Sequence, residues 1–184
     1  MNKKKTLLIA VYSLVVVVVL GIIACAVIPA STYPQIKDPT SEIIINYDSS
    51  TRIALTPENK NYKKVLNEVK DGFKVNFLTG LFNGYLSSTD KDQVATSTKP
   101  DGIYITFNYL EEQTLKINGK EVTKSSNSTA KIKYTTLSFA VSETDAGSLV
   151  SVYFTTTDEE PSKYTVRYYA NLSDVFELVE DIRA

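Results

Sequence analysis

From Leu7 to Ile28 the chain runs through 22 residues without a charge, including five consecutive valines at Val15–Val19. A helix rises about 1.5 Å per residue, so this length matches a hydrocarbon core of about 30 Å. Lys3, Lys4 and Lys5 precede the run, and the next charge is Lys37. Basic residues stay on the cytoplasmic side of a single crossing. The expected organisation is therefore a cytoplasmic N-terminus at 1–6, a transmembrane signal anchor at 7–28, a linker at 29–41 and an extracytoplasmic domain at 42–184. The lipid bilayer, met through residues 7–28, is the first expected partner.

Three fates compete for this run. An uncleaved anchor fits its length, because the apolar region of a cleavable signal covers roughly 7–15 residues. A lipoprotein is the second, because Ile22-Ile23-Ala24-Cys25 resembles the bacterial lipobox and Cys25 is the chain's single cysteine. Against it, Ala26-Val27-Ile28 continues the apolar run where a lipoprotein turns polar. Ordinary cleavage after Ala26 or Ala30 is the third. All three place the remaining domain on the outer side. Cys25 also reads simply as a small apolar residue in a membrane helix, and with Gly21 it forms one small-xxx-small pair.

The part beyond the anchor is one domain's worth of chain. Its 17 basic and 21 acidic residues leave a net charge of −4, so it lacks the basic stripe of a nucleic-acid binder. It has no cysteine and hence no disulfide. Its richness in Lys, Asn, Ile and Tyr fits an AT-rich bacterial genome.

Ser31–Ser41, with Pro34 and Pro39, reads as an extended spacer. Glu42–Tyr47 and Arg52–Leu55 read as a strand pair around the turn Asp48-Ser49-Ser50-Thr51. Thr56 as a cap, Pro57 at the first helical position and Glu58 in the first turn predict a helix. Tyr62, Val65, Leu66, Val69 and Phe73 give its apolar face, and Asp71-Gly72 its stop. Lys60, Lys63, Lys64, Asn67 and Lys70 form a solvated face. A second short helix is expected within Phe73–Tyr85, and a polar loop over Ser87–Pro100.

From Asp101-Gly102 the pattern turns to β. Ile103–Leu110 has bulky residues at both parities, as in a central strand. Leu115–Ile117 and Lys120–Val122 flank Asn118-Gly119, which suits a type I′ turn. Ala130–Val141 changes phase, with Ile132 and Tyr134 on one parity and Leu137, Phe139 and Val141 on the other. A bulge near Thr135-Thr136 accounts for this. Leu149–Thr156 and Tyr164–Tyr169 are further strands. Ser173 opens a helix with Val175, Phe176, Val179 and Ile182 on its apolar face. The expected fold class is α+β: a mainly antiparallel sheet of six to eight strands with two or three helices packed on one face, after one transmembrane helix.

The chain has no histidine, so the commonest general base and the commonest metal ligand are missing. The outer glycines are single, without a G-x-G or P-loop pattern. Carboxylates remain at Glu111-Glu112, Asp158-Glu159-Glu160 and Asp90-Lys91-Asp92, all in polar surroundings and without calcium-loop spacing. A glycosidase pair would need a cleft and one raised pKa. A Ser/Lys pair stays open on composition alone. No catalytic residue, cofactor or metal ligand is assigned, and an enzyme is not expected.

The 12 tyrosines are the enriched feature. Tyr104, Tyr153, Tyr164 and Tyr168 are the candidate aromatic binding face, with ordinary cross-strand packing as the alternative.

The block Ile43-Ile44-Ile45-Asn46-Tyr47, Arg52-Ile53-Ala54-Leu55-Thr56-Pro57-Glu58 and Tyr62-Lys63-Lys64-Val65-Leu66 looks like small anchored outer-surface proteins of Gram-positive bacteria. It is similar to the extracytoplasmic regions of YycH/YycI-type regulators, which act on a membrane histidine kinase. The resemblance covers about the first third of the outer domain and carries over no functional residue. It implies regulation by contact with an envelope protein. A lipoprotein binding a cell-envelope glycan or small molecule is the alternative.

Overall fold

The computed structural model describes residues 3–27, 36, 41–48, 50–74, 102–117, 120–124, 128–143, 147–157 and 163–184. Its backbone forms helix α1 over Lys3–Val27, with side chains described across 11–23. Among the described residues no helix is long and apolar enough to cross a membrane. The expected second helix at 73–85, the loop at 87–100 and the Asn118-Gly119 turn fall largely or wholly outside the described residues.

The domain after α1 is α+β, as its patterning predicts. Strands β1 (Glu42–Asn46), β2 (Arg52–Leu55), β3 (Ile103–Thr114), β6 (Lys133–Val141), β7 (Ser148–Thr156) and β8 (Lys163–Ala170) make one antiparallel sheet in the order β2-β1-β3-β6-β7-β8. The short pair β4 (Lys116–Ile117) and β5 (Lys120–Glu121) forms a separate hairpin. Helices α2 (Tyr62–Gly72) and α3 (Ser173–Arg183) lie side by side and share one core with the sheet.

Alternation decides which face is buried. Ile43, Phe107, Leu137, Phe154 and Tyr164 follow one another across five strands, and Ile45, Ile105, Phe139, Val152 and Val166 form the next row. Val65, Leu66, Val69, Val175, Leu178 and Val179 cover these rows from the helices. The phase change expected in β6 is present. Tyr134 pairs Thr156 but Thr136 pairs Thr155, so Thr135 is the extra residue that turns Tyr134 back into the core. A larger shift lies in β3 between Asn108 and Gln113, which the sequence pattern had not signalled.

Helix α2 starts later than its capping pattern suggested. Residues 56–61 make two tight turns instead, with Asn59 N–H donating to Thr56 O (2.8 Å) and Tyr62 N–H to Asn59 O (3.0 Å). The Asn59 side chain accepts from Asn61 N–H at 2.9 Å, a local bond that competes with helix. The expected stop holds, for a reason beyond turn chemistry. Asn171 N–H donates to Gly72 O at 2.8 Å, and a Cβ on Gly72 would sit 2.6 Å from Asn171 O and 2.8 Å from Leu172 Cδ2. Only glycine lets the entry to α3 pass this close to the end of α2. Phe73, next in line, is fully buried and meets Phe139 edge-on at 5.1 Å and Tyr168 at 6.3 Å.

A second joint ties α3 to the β1–β2 turn. The Tyr47 hydroxyl donates to Val179 O, and the Arg183 guanidinium lies over the Tyr47 ring at 5.1 Å and 3.7 Å from the Asp48 carboxylate. Asp48 also accepts from Ser50 Oγ, Ser50 N–H and Thr51 N–H at 2.6–2.7 Å, and these bonds hold its carboxyl well below the usual range.

Gly72→Ala is expected to destabilise the domain by about 1–3 kcal/mol, the usual range for an inserted methyl that its surroundings must make room for. Denaturant midpoints measure it. A second comparison uses one substitution at two sites. Tyr47→Phe removes a made hydrogen bond and is expected to cost about 1 kcal/mol. Tyr168→Phe removes a buried hydroxyl with no partner among the described residues, so stability is expected to hold or rise. A marked loss for Tyr168→Phe would show that its hydroxyl is bonded.

Candidate functional site

The sheet has two unlike faces. The face away from α2 and α3 carries Arg52 and Ala54 on β2, Glu42, Ile44 and Asn46 on β1, and Tyr104, Thr106 and Asn108 on β3. It continues with Thr136, Ser138 and Ala140 on β6, Ser151, Tyr153 and Thr155 on β7, and Thr165, Arg167 and Tyr169 on β8. Neither Ile44 nor Tyr104 belongs to the helix-covered core, although both are buried.

This register divides the four tyrosines expected to form one aromatic face. Tyr104 and Tyr153 lie on the face away from the helices, on either side of β6, where the small Ser138 and Ala140 stand between them. Burial, and then the neighbouring Tyr153, push the Tyr104 phenol above its ordinary pKa. Tyr164 and Tyr168 project from the opposite face. Tyr168 is 1% exposed and Tyr164 packs against the core. The expectation is corrected on this point, and the reason is in the pattern. In β8, Tyr164 and Tyr168 share parity with Val166 and Ala170, whereas in β7 Tyr153 shares parity with Ser151 and Thr155. Tyr109 and Tyr134 also turn into the core, edge-on to one another at 5.8 Å. Desolvation raises the Tyr134 phenol to about 12.

One end of the same face is a polar lane. Asn108 Nδ2 donates to Glu42 Oε1 at 3.1 Å, Thr136 Oγ1 lies 3.3 Å from Asn108 Oδ1, and Ser41 Oγ donates to Asn108 O at 2.6 Å. Arg52 stands 3.9 Å from Glu42. These groups satisfy one another across the four strands β2, β1, β3 and β6.

Of the carboxylates singled out from the sequence, Glu111 and Glu112 are described. Both are exposed and lie in the register shift of β3. Lys133 Nζ donates to Glu112 at 2.7 Å and Thr157 Oγ1 donates to it at 2.6 Å. These bonds, Lys133 first, lower the Glu112 pKa, the reverse of what a general acid needs. Its work here is to tie β3 to β6 and to the end of β7. Asp90-Lys91-Asp92 and Asp158-Glu159-Glu160 lie outside the described residues. Among the described residues no three His, Cys, Asp or Glu side chains gather as a metal site would require. The Cys25 side chain is likewise not described.

Among the described residues, the sheet ends in an edge at β8. β8 ends the sheet with eight residues paired on one side to β7, while β2 at the other end has four. A long terminal strand offers a row of backbone donors and acceptors to a further strand. Arg167, exposed on this edge strand, is the kind of charge that limits indiscriminate pairing. No family model matches the chain, and no curated protein or solved structure is detectably similar to it.

Glu112 gives a pH dependence with a definite sign. Its folded pKa lies below its unfolded one, so its contribution is complete above an unfolded value of about 4.3 and is lost as pH falls through the folded value. Glu112→Gln is therefore expected to flatten the fall in urea midpoint between pH 6 and pH 3. Parallel pH profiles for the two proteins would contradict this role.

Proposed function

We propose that the chain is a membrane-anchored, non-enzymatic binding or regulatory protein whose outer domain docks another envelope protein through the β8 edge. The anchor is carried by one observation. The large apolar residues described along α1, from Val11 to Ile23, are all between 47% and 65% exposed. A helix that is apolar on every side and meets no protein core belongs in lipid. The described stretch is by itself too short to span a membrane; on this reading the whole uncharged run 7–28 crosses the bilayer, with 1–6 inside and the domain extracytoplasmic.

Docking by strand addition suits this sheet. In strand addition, edge backbone supplies affinity and alternate side chains supply selectivity. A second reading, a lipoprotein modified at Cys25 that binds a glycan or small molecule, draws on Tyr104 and Tyr153, which face the same side across the small residues of β6.

The test is crosslinking in intact cells with a photoreactive residue at Arg167 on the edge and, as a control, at Asn67 on α2. Mass spectrometry of the membrane fraction reads both the adducts and the state of Cys25. One reproducible membrane-protein adduct from position 167, absent from position 67, with an intact N-terminus, is the expected result. Absence of a protein adduct together with a diacylated Cys25 would transfer the case to the second reading.

A further inference from the structure

Ile36 lies in the expected spacer, six residues ahead of β1, yet it is 6% exposed and belongs to the hydrophobic core of the outer domain. A spacer whose side chain is sunk in the domain is not a free tether. Helix α1 ends at Val27, so nine Cα steps separate it from Ile36. However residues 28–35 are arranged, nine steps reach at most about 30 Å. Were the chain free up to Glu42, fifteen steps would reach about 50 Å.

We infer that Ile36 docks the tether into the domain and holds it in the layer next to the bilayer, so that its partner is an envelope protein that presents its binding segment within this reach of the lipid surface. This rests on the anchored reading above. A domain of about 140 residues has a radius of gyration near 15 Å and so spans roughly 40 Å. Its far side thus stays within roughly 70 Å of the end of α1. A component held farther out in the envelope is beyond it. The limit does not depend on which attachment the anchor uses. A lipid on Cys25 would add only two steps, about 7 Å.

The test uses the full chain with Cys25→Ala and Asn67→Cys, which places one dye on the exposed side of α2. It is reconstituted into phosphatidylglycerol/phosphatidylethanolamine vesicles containing an acceptor lipid. The parent is compared with a chain lengthened by about ten Gly/Ser residues between Ala30 and Ser31, a flexible insert, and with Ile36→Asp and Ile36→Ala. Energy transfer to the bilayer is expected to fall for the insert and for both Ile36 variants, while circular dichroism stays that of the parent. If Ile36→Asp alone loses the fold, Ile36→Ala carries the comparison. Transfer equal to the parent's in a folded Ile36 variant overturns the docked tether, whether or not the insert lowers it. Failure of the parent to float with the vesicles overturns the anchored reading instead. In cells, the insert is expected to reduce the yield of the edge-directed membrane-protein adduct, and an undiminished yield overturns the limit on the partner.

Discussion

Gly72 and Phe73 form the joint on which the domain's packing turns. Gly72 has no side chain, and Asn171 and Leu172 occupy the space where one would be. Phe73 then drops into the sheet against Phe139, which is itself stacked on Phe107 at 6.1 Å. Two neighbouring residues thus fix the distance between the helices and their seat on the central strands β3 and β6. The buried rows of Ile, Val, Leu and Phe provide the driving force, but they are non-directional. Shape at this joint is what makes one arrangement of the helices better than its neighbours.

The helix-covered core has a consequence for the tyrosines. A sheet with helices packed on one face sorts each residue by parity, whatever its chemical appeal. Tyr109, Tyr134 and Tyr168 become core residues whose phenols are harder to ionise, and Tyr104 and Tyr153 are left to the other face. Carboxylates follow a parallel rule at the surface. Asp48 and Glu112 are both drawn below their ordinary pKa by hydrogen bonds that hold turns and strand ends in place. Such groups act as fasteners.

Much of this was legible in the residues themselves. Period-two alternation located the strands to within a few residues, and the switch of parity after Tyr134 located the bulge at Thr135. The late start of α2 was not legible from Thr56-Pro57-Glu58, because a side-chain bond at Asn59 gives the backbone a competing turn. The division of the tyrosines was present in the flanking residues but needed the register Phe154 to Tyr164 to become firm. Leu178 is buried in α3, outside the apolar face expected from Val175, Phe176, Val179 and Ile182; it stands three residues after Val175, on the same side of the helix. The burial of Ile36 had no local signal at all. Proline-flanked spacers look alike whether or not one side chain finds a core, and only tertiary contact distinguishes them.

The Tyr47 to Val179 bond joins residues 132 apart, and it closes the first hairpin against α3. Between them the sheet is laid down out of sequence, since β1 sits between β2 and β3 and pairs with a strand some sixty residues later. Contacts of such separation cost loop entropy before they return any burial, which makes folding slow relative to a helical bundle of equal size. During synthesis the hairpin β1–β2 therefore emerges with Ile43 and Ile45 uncovered, and their cover is complete only once α2, β3 and finally α3 have arrived. For that interval the nascent domain exposes apolar strands that are prone to associate, so the same late closure that completes the fold leaves the chain open to misassembly while it is made.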